Sequence, residues 1–209
     1  MGHPLDAKRM NENPKLCPRR IAGAFEQLRF LFYEIIIIVN KRYWRWITIW
    51  FGGCVWVNVS CRLDRSLYLI FGRVYPVIRP VFFPAFFVCA LLGGRHEIHY
   101  RARIGPGLKI LHTSLGTVIS GMTVAGEKLT LTGGNLIGGR KPIAEGDILI
   151  GSRVYLGAHA VILGPVEVGD DAIVGAGAVV VADVAPGTIV VGVPARELPS
   201  KKESRSDVS

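Results

Sequence analysis

Five histidines are the residues of this chain most suited to proton transfer, and one of them stands apart by its position. His112 falls in a break of an otherwise regular six-residue pattern, within a His-Thr-Ser-Leu-Gly segment. A free imidazole has a pKa of about 6.5, so it is mostly neutral near pH 7 and can accept a proton from a hydroxyl group. His112 is therefore the candidate general base. His96 and His99 stand at the start of the repeat, His159 stands at a turn within it, and His3 is near the N-terminus.

The pattern that surrounds His112 has a period of six residues, which neither a helix nor a flat strand produces. Aliphatic residues, with one threonine, recur in three trains: Ile98, Ile104, Ile110; Val118, Val124, Thr130, Leu136; and Ile150, Leu156, Ile162, Val168, Val174, Val180. Small or β-branched residues stand four places after each member of the third train, at Val154, Ala160, Val166, Ala172, Ala178 and Val184. The spacing predicts a triangular prism of short parallel strands, with about five coils over residues 98–185 and the large aliphatics inside. A sandwich of irregular strands would not hold this phase.

Two breaks in the period predict loops that bulge outward, because a coil cannot absorb extra residues in its core. The first lies between Ile110 and Val118 and contains His112. The second leaves the prism after Leu136, at Gly138-Gly139-Arg140-Lys141-Pro142, and returns at about Asp147. Loops on a rigid scaffold are where binding and catalytic sites are built, so both breaks are candidate site regions.

The first 95 residues have a different composition from the rest. They hold 14 Lys and Arg against 5 Asp and Glu, whereas residues 96–209 hold 11 of each, so the whole net charge of +9 lies in this first part. All four tryptophans and all nine phenylalanines are there too. Basic residues among long apolar runs argue against a disordered chain and against a generic nucleic-acid binder.

This aromatic and basic part predicts helices at a membrane surface. No single segment has the roughly 20 apolar residues that a membrane span needs. Tryptophans beside cations are typical of an interfacial belt on anionic lipid, here Trp44, Trp46, Trp50 and Trp56 with Lys41, Arg42, Arg45, Arg62 and Arg65. We expect residues 20–94 to lie on, or dip into, the cytoplasmic leaflet. The alternative is a buried helical domain that packs on the prism and mediates oligomerisation.

The motifs of the repeat region resemble the hexapeptide-repeat acyltransferases of the serine acetyltransferase type. The resemblance covers about residues 96–197 and rests on the segments Glu97-Ile98-His99-Tyr100, Ile104-Gly105-Pro106-Gly107, His112, Gly138-Gly139, Leu156-Gly157-Ala158, Val174-Gly175-Ala176-Gly177 and Gly192-Val193-Pro194-Ala195-Arg196. It implies a mainly β fold, a left-handed parallel β-helix, that assembles as a homotrimer or a dimer of trimers. It also implies acetyl-coenzyme A as co-substrate in a groove between neighbouring prisms, with no permanently bound cofactor.

The same resemblance implies roles for individual residues. His112 matches the catalytic histidine, and Glu97 matches a carboxylate that orients it, where the family commonly has Asp. Contacts to coenzyme A carry over onto a set of small residues and one cation: Gly138, Gly139, Gly157, Ala158, Gly175, Ala176 and Arg196. Lys201 and Lys202 either meet the phosphates of coenzyme A or belong to a solvated tail. The three convergent histidines of zinc enzymes on this fold are missing from the sequence, so no metal is expected.

The acceptor is where the sequence departs from serine-using members of the family. Those enzymes have an Asp before the catalytic histidine and an Arg-His pair in the second loop, whereas here Leu111 precedes His112 and Gly146-Asp147 takes the place of the pair. A zwitterionic amino acid would lose its partners, which is costly in a desolvated site. The main hypothesis is therefore O-acetylation of a saccharide or lipid-linked sugar at the inner face of the membrane. Arg140, Lys141 and Asp147 are the acceptor-loop candidates.

Two alternatives remain beside that hypothesis: serine O-acetylation for cysteine synthesis, and a non-catalytic scaffold. The expected domains are a polar tail over residues 1–19, the helical region over 20–95, the β-helix over 96–197 and a disordered tail over 198–209. The four cysteines, Cys17, Cys54, Cys61 and Cys89, all lie before the repeat and have no Cys-x-x-Cys spacing. We therefore expect them to be small buried hydrophobic residues in a reducing cytoplasm.

Overall fold

A computed structural model describes residues 17–39, 53–140, 142 and 144–198. The N-terminal part is helical: α1 spans Cys17–Val39, α2 spans Gly53–Phe71, α3 spans Tyr75–Ile78 and α4 spans Phe83–Gly93, with 3-10 turns at Gly72–Val74 and Arg79–Phe82. Pro76, Pro80 and Pro84 stand in the first turns of the segments that follow α2, where a missing N–H costs nothing and the fixed φ angle favours a new helix start. α1 and α4 both pack on α2.

The remainder is a left-handed parallel β-helix with three faces. The first face consists of β1 (His96–Ile98), β4 (Thr117–Ile119), β7 (Asn135–Gly139), β10 (Val161–Gly164) and β13 (Val179–Val180). The second face consists of β2 (Arg103–Ile104), β5 (Thr123–Ala125), β8 (Ile148–Ile150) and β11 (Val166–Val168). The third face consists of β3 (Lys109–Ile110), β6 (Thr130–Leu131), β9 (Tyr155–Leu156), β12 (Ile173–Val174) and β14 (Ile189–Val191), which β15 (Arg196–Glu197) joins in the antiparallel sense.

The prism predicted from the six-residue period is confirmed, with each coil stacked in register on the next. Within the described residues, four coils have a strand on every face, and a fifth is formed by β13, a bridge from Val184 to Val168, and β14. The interior is filled by the third train, all six members of which are buried, and by the small residues four places after them. Ala160, Ala172 and Ala178 are fully buried, since a larger side chain would not fit beside the aliphatic residues.

The register predicted for the second train is wrong by one residue. Val118 and Leu136 are 41% and 38% exposed, whereas Ile119 and Ile137 are 1% and 0% exposed and fill the core. The loop that contains His112 inserts one residue more than the alignment on Val118 assumed. Because side chains alternate between the two sides of a strand, a shift of one residue exchanges the inside with the outside.

The helices α1 and α2 close the open end of the prism through one buried ion pair. Arg62 donates to Glu34 Oε1 at 2.5 Å and also to the carbonyl oxygens of Ile104 and Gly105, at 2.6 and 2.7 Å. The Glu34 carboxylate accepts the N–H groups of Gly107 and Leu108, both at 3.1 Å. These backbone groups belong to the first coil, which has no coil beneath it, so the pair satisfies hydrogen bonds that would otherwise be unmade.

This cap corrects part of the predicted membrane belt. Arg62 is buried at the end of the prism, so it is not available to lipid headgroups, and the half-buried Arg65 donates from Nη1 to the carbonyl oxygens of Tyr100 and Arg101 at 3.1 Å. Trp56 lies half-buried in α2. The remaining members of the predicted belt lie outside the described residues: Trp44, Trp46, Trp50, Lys41, Arg42 and Arg45.

The segment after α2 leaves much apolar surface uncovered. α4 contains no charged side chain, and of its eleven residues only Cys89 and Gly93 are buried. By length and composition alone, the helical run Gly53–Gly93 meets the requirement for a membrane span, a test that core helices of soluble proteins also pass. The described residues thus contain one such run, although no uninterrupted span was expected from the sequence.

Candidate active site

His112 lies at the corner of the prism between the third and the first face. It follows β3, and its N–H donates to the carbonyl oxygen of Thr132 on the next coil at 2.9 Å. A 3-10 turn, Thr113–Leu115, begins directly after it and carries the chain outward before β4 starts. The His112 side chain is exposed. The backbone is therefore held by the coil above while the imidazole stays accessible to a substrate.

Gly133 is a part of this corner that the sequence pattern did not single out. Its φ is +135°, and a Cβ there would lie 2.5 Å from the carbonyl oxygen of His112 and 3.2 Å from Leu115. Only glycine allows the next coil to approach the His112 turn this closely. The signal that identifies it is the pair Gly133-Gly134 in the coil directly above the break, one turn of the prism after His112.

Small residues continue the same corner on the next two coils. Gly157 and Ala158 follow β9, and Gly175 and Ala176 follow β12, so four of the predicted coenzyme A contacts lie in one column with His112. The column is tied together along the prism axis by backbone hydrogen bonds: the N–H of Gly157 donates to Val174 at 2.8 Å, and that of Gly177 donates to Ala158 at 2.8 Å. Side chains this small leave space for an extended ligand, and the exposed imidazole of His159, which lies over Gly134 in the same corner, borders that space.

Glu97 lies on the first face, beside the same corner. It is the central residue of β1, pairs in register with Val118 of β4 and is exposed, so its carboxylate is on the outside of the prism. Among the described residues no hydrogen bond joins it to His112. The structure thus places the two predicted partners on either side of one corner without forming the predicted contact between them.

His96 separates the corner from the helical region. Its ring lies against Gly94 and Thr113: a Cβ on Gly94 would be 2.6 Å from the carbonyl oxygen of Thr113 and 3.5 Å from His96 Nε2. Burial lowers the pKa of His96, so this ring is neutral at pH 7. Burial, with the neighbouring charges of Arg101 and Arg79, also lowers the pKa of His99.

The other predicted residues lie at the next corner, between the first and the second face. Gly138 and Gly139 end β7 and pair with Leu163 and Gly164 of β10. Arg140 follows them and donates from Nη2 to the carbonyl oxygen of Val181 at 2.9 Å. The first face therefore separates these residues from His112 within one protomer. Lys141 lies outside the described residues.

Asp147 has a structural task at the return of the second loop. One of its carboxylate oxygens accepts the N–H of Ala144 at 2.7 Å, which closes a turn before β8. Glu145 in the same turn forms an ion pair with Arg103 of β2 at 2.5 Å. The loop is thereby folded back on the second face, and one of the two oxygens of the Asp147 carboxylate is already engaged.

The C-terminal end of the described chain is a hairpin at the last coil. Gly192, with a φ of +94°, turns the chain after β14, and Arg196 pairs with Val191 in β15. The Arg196 side chain is exposed and donates only to the neighbouring carbonyl of Ala195 among the described residues. Lys201 and Lys202 lie outside the described residues.

In the described part of the chain, no group of three or more His, Cys, Asp or Glu side chains is placed to hold a metal ion. His159 lies on the coil turn where its position in the repeat puts it, packed against Gly134. Cys54, Cys61 and Cys89 are free thiols, half-buried or buried. Burial raises the pKa of Cys61 to about 11, so this thiol is not a nucleophile.

Comparison with known proteins supports the β-helix fold described above. Residues 147–182 match a family model described as bacterial transferase hexapeptide (six repeats). No curated protein sequence matches the chain. The matched repeats and the left-handed prism make this chain similar to the hexapeptide-repeat acyltransferases.

Within that class, the solved structures to which the chain is similar are serine acetyltransferases. The enzyme from Neisseria gonorrhoeae is 26% identical, with 91% of this chain and 73% of that chain covered and a TM-score of 0.67. The soybean apoenzyme is 28% identical, with 83% and 69% covered and a TM-score of 0.64. The soybean enzyme complexed with serine is 32% identical over 68% of this chain and 57% of that chain, with a TM-score of 0.56.

Proposed function

We propose that this protein is an acetyl-coenzyme A-dependent O-acetyltransferase with His112 as its general base. The observation that carries the proposal is the corner itself: an exposed imidazole heads a column of glycines and alanines that leaves room for an extended thioester. The likeness to serine acetyltransferases, which covers most of the chain, supports the same reaction class.

The reaction follows from the requirements of acyl transfer. His112 takes the proton of the acceptor hydroxyl as its oxygen attacks the thioester carbonyl, and a tetrahedral oxyanion forms. The C–S bond then breaks, the acetyl ester is released, and the proton passes from the imidazolium to the departing thiolate of coenzyme A. We propose that Glu97 orients the His112 imidazole. Because no hydrogen bond joins the two side chains in this structure, ligand binding would have to bring the carboxylate to the imidazole.

The donor site is proposed to lie between two protomers of a homotrimer. Gly157, Ala158, Gly175 and Ala176 share a corner with His112, whereas Gly138, Gly139 and Arg140 lie one face away. A neighbouring prism that presents its Gly139 corner to this His112 corner would unite the two sets. Arg196, exposed at the last coil, is the proposed contact for a phosphate of coenzyme A.

Serine is the acceptor that the comparisons favour, since similar solved structures are serine acetyltransferases and two of them are complexes with serine. A second candidate is a hydroxyl of a saccharide or lipid-linked sugar. The observation in favour of it is Leu111, which is 53% exposed directly before His112 and offers an apolar surface where an ammonium group would need a partner. The Asp147 carboxylate supports the same candidate, because one of its oxygens already accepts the N–H of Ala144 and is less available to an ammonium group.

Release of the coenzyme A thiol decides between these acceptors. The purified protein is incubated with acetyl-coenzyme A and either serine, methyl glucoside or no acceptor. We expect His112→Ala to lower the acceptor-dependent rate at least a hundredfold with an unchanged melting temperature, because general-base catalysis contributes about 10²–10⁴. His3→Ala, which removes an imidazole outside the repeat, is the matched control. Release that is absent with every acceptor would favour a scaffold, whereas acceptor-dependent release that survives in His112→Ala would show that His112 is not the base.

We also propose that the protein works at the inner face of a membrane. Exposed apolar residues lie around most of α4. A flat protein partner would cover only one side of this helix, whereas lipid acyl chains can contact all of its sides. Residues 71–95 contain no acid and add two exposed arginines, Arg73 and Arg95, besides Arg79, which forms an ion pair with Asp64. Flotation with anionic vesicles tests this, and a protein that stays below the vesicles at low salt, without detergent, contradicts it.

A further inference from the structure

A cavity of about 730 Å³ lies between the helical region and the first strand of the prism. It is distinct from the corner that carries His112, which does not line it. Its walls come from α2, from the segment of α3 and α4, and from β1. Its volume is within the range of cavities that bind a whole small molecule or one chain of a larger one, about 300–1,000 Å³.

One wall of the cavity is apolar and belongs mostly to α4. Phe83, Phe86 and Phe87 line it together with Pro76 and Pro80. Phe83 and Phe87 are also 64% and 56% exposed, so the aromatic wall continues onto the outer surface of the helix. An apolar chain can therefore enter along this wall from the surface that is proposed to meet the membrane.

Another wall of the cavity is polar and consists of the first strand. Glu97, His96 and His99 line it. Arg79 and Asp64 also line the cavity and form an ion pair of 2.9 Å, with the Asp64 carboxylate also accepting from the Tyr75 hydroxyl. The Arg79 side chain remains 46% exposed. These groups suit a hydroxylated or anionic head group, because hydrogen-bond donors and acceptors are both present.

The polar wall lies next to the proposed active site. Glu97, the proposed orienter of the base, lines the cavity, whereas Gly94 and His96 form a wall between the cavity and Thr113, the residue after His112. A molecule with its apolar chain along α4 would present its head group beside Glu97, at the corner where His112 acts.

We propose that this cavity binds the apolar chain of an amphiphilic hydroxyl acceptor. The inference rests on the proposed O-acetyltransferase function and names the class of its acceptor: a single apolar chain joined to a hydroxylated head group. Free serine, which has no such chain, would leave the cavity unused.

Alkyl glucosides test the proposal, because dodecyl glucoside and methyl glucoside share a head group and differ in the chain. Binding to the full-length protein is measured by calorimetry below the micelle-forming concentration and without vesicles, and acetylation by release of coenzyme A thiol. We expect dodecyl glucoside to bind at least tenfold more tightly than methyl glucoside. It should also be the better acceptor by a similar factor in kcat/KM.

Two alanines of α4 supply matched variants. Ala90 lines the cavity and Ala85 does not, although both are exposed. Ala90→Trp should weaken the binding of dodecyl glucoside at least tenfold and leave that of methyl glucoside unchanged, whereas Ala85→Trp should change neither. Phe87→Asn, which makes the apolar wall polar, is the second variant and should also weaken the binding of the long chain. Melting temperatures show that the variants fold.

Three results would overturn the proposal. The first is equal binding of the two glucosides, and the second is equal loss in Ala90→Trp and Ala85→Trp, which would indicate adsorption to the outside of α4. The third is a changed assembly mass in Ala90→Trp with unchanged chain binding, which would assign the cavity to a contact between copies. Chain binding without thiol release from any acceptor would instead contradict the enzymatic function and leave the cavity as a lipid site.

Discussion

At the scale of single residues, the candidate site depends as much on the backbone beside His112 as on the imidazole. The carbonyl oxygen of His112 lies against Gly133, and Gly116, with a φ of +73°, returns the turn to the prism against the carbonyl of Arg95. Both positions allow glycine only, since a Cβ would meet a backbone atom of an adjacent coil. The orientation of the base is therefore set by two residues that do no chemistry.

Gly133→Ala is expected to displace the His112 turn. The new methyl group would lie 2.5 Å from the His112 carbonyl oxygen, so that backbone must move, at a cost of about 1–3 kcal/mol in the free energy of unfolding. We expect the coenzyme A release rate to fall by at least tenfold, as measured against Gly187→Ala. Gly187 has a φ of +69° but open space around its Cβ position, and it lies outside the His112 corner. Equal loss in the two variants would attribute the effect to backbone strain alone.

His96 makes the stability of the protein depend on pH. Burial lowers its pKa in the folded state below the value of about 6.5 expected for the unfolded chain. Between these two values the unfolded state binds the extra proton, so the contribution of His96 is fully present above pH 6.5 and is lost as the pH falls through the folded pKa. Urea unfolding at pH 7 and pH 5 should show a smaller loss of stability in His96→Gln than in the natural protein. The same loss in both would contradict this account.

At the scale of secondary-structure elements, a single charged pair holds α1 and α2 at the end of the prism. Glu34 and Arg62 are 1% exposed each, and between them they bond four backbone groups of the first coil. Taking two charges out of water is costly, and the geometry compensates for it only while both are present.

Removal of one member of this pair is expected to be severe. Glu34→Ala leaves Arg62 buried without its counter-ion and leaves two N–H groups unbonded, at a cost of about 3–5 kcal/mol. Chemical denaturation measures the loss in the free energy of unfolding. The double variant Glu34→Leu, Arg62→Met should lose less than the sum of the losses of its two single variants. Additive losses would show that the two side chains act independently.

At the scale of the whole molecule, the proposed active site is divided between two corners of the prism. The His112 corner and the Gly139 corner are separated by the first face within one chain. A ring of prisms related by rotation brings unlike surfaces together, so one protomer can complete the site of the next.

Mixed assemblies should reveal this division. His112→Ala and Gly139→Trp are each expected to be inactive alone, because each spoils one corner of every site. After the two chains are unfolded and refolded together in equal amounts, about a quarter of the interfaces pair two intact corners and should recover that share of the thiol release rate. Activity that never returns in the mixture would place both corners in the same protomer's site.

Much of this architecture is predictable from the chain alone, because a six-residue period with small residues at fixed places has only one compact solution. The third train, from Ile150 to Val180, is buried at every position, and the breaks in the period form loops as expected. The position of His112 at an exposed break also follows from sequence. The second train does not, since Val118 and Ile119 are equally apolar and only the length of the loop decides which of them faces inward.

What only the tertiary structure decides is how distant residues meet. Arg62 belongs to a basic, aromatic segment that is typical of a membrane surface, yet it bonds the prism because Glu34 and two open carbonyl groups lie within its reach. The cavity beside Glu97 likewise exists only because α4 returns to β1 across α2. Local sequence determines which side chains turn inward along a strand, whereas the partner of a buried charge and the shape of a void depend on elements far apart in the chain, which no local pattern encodes.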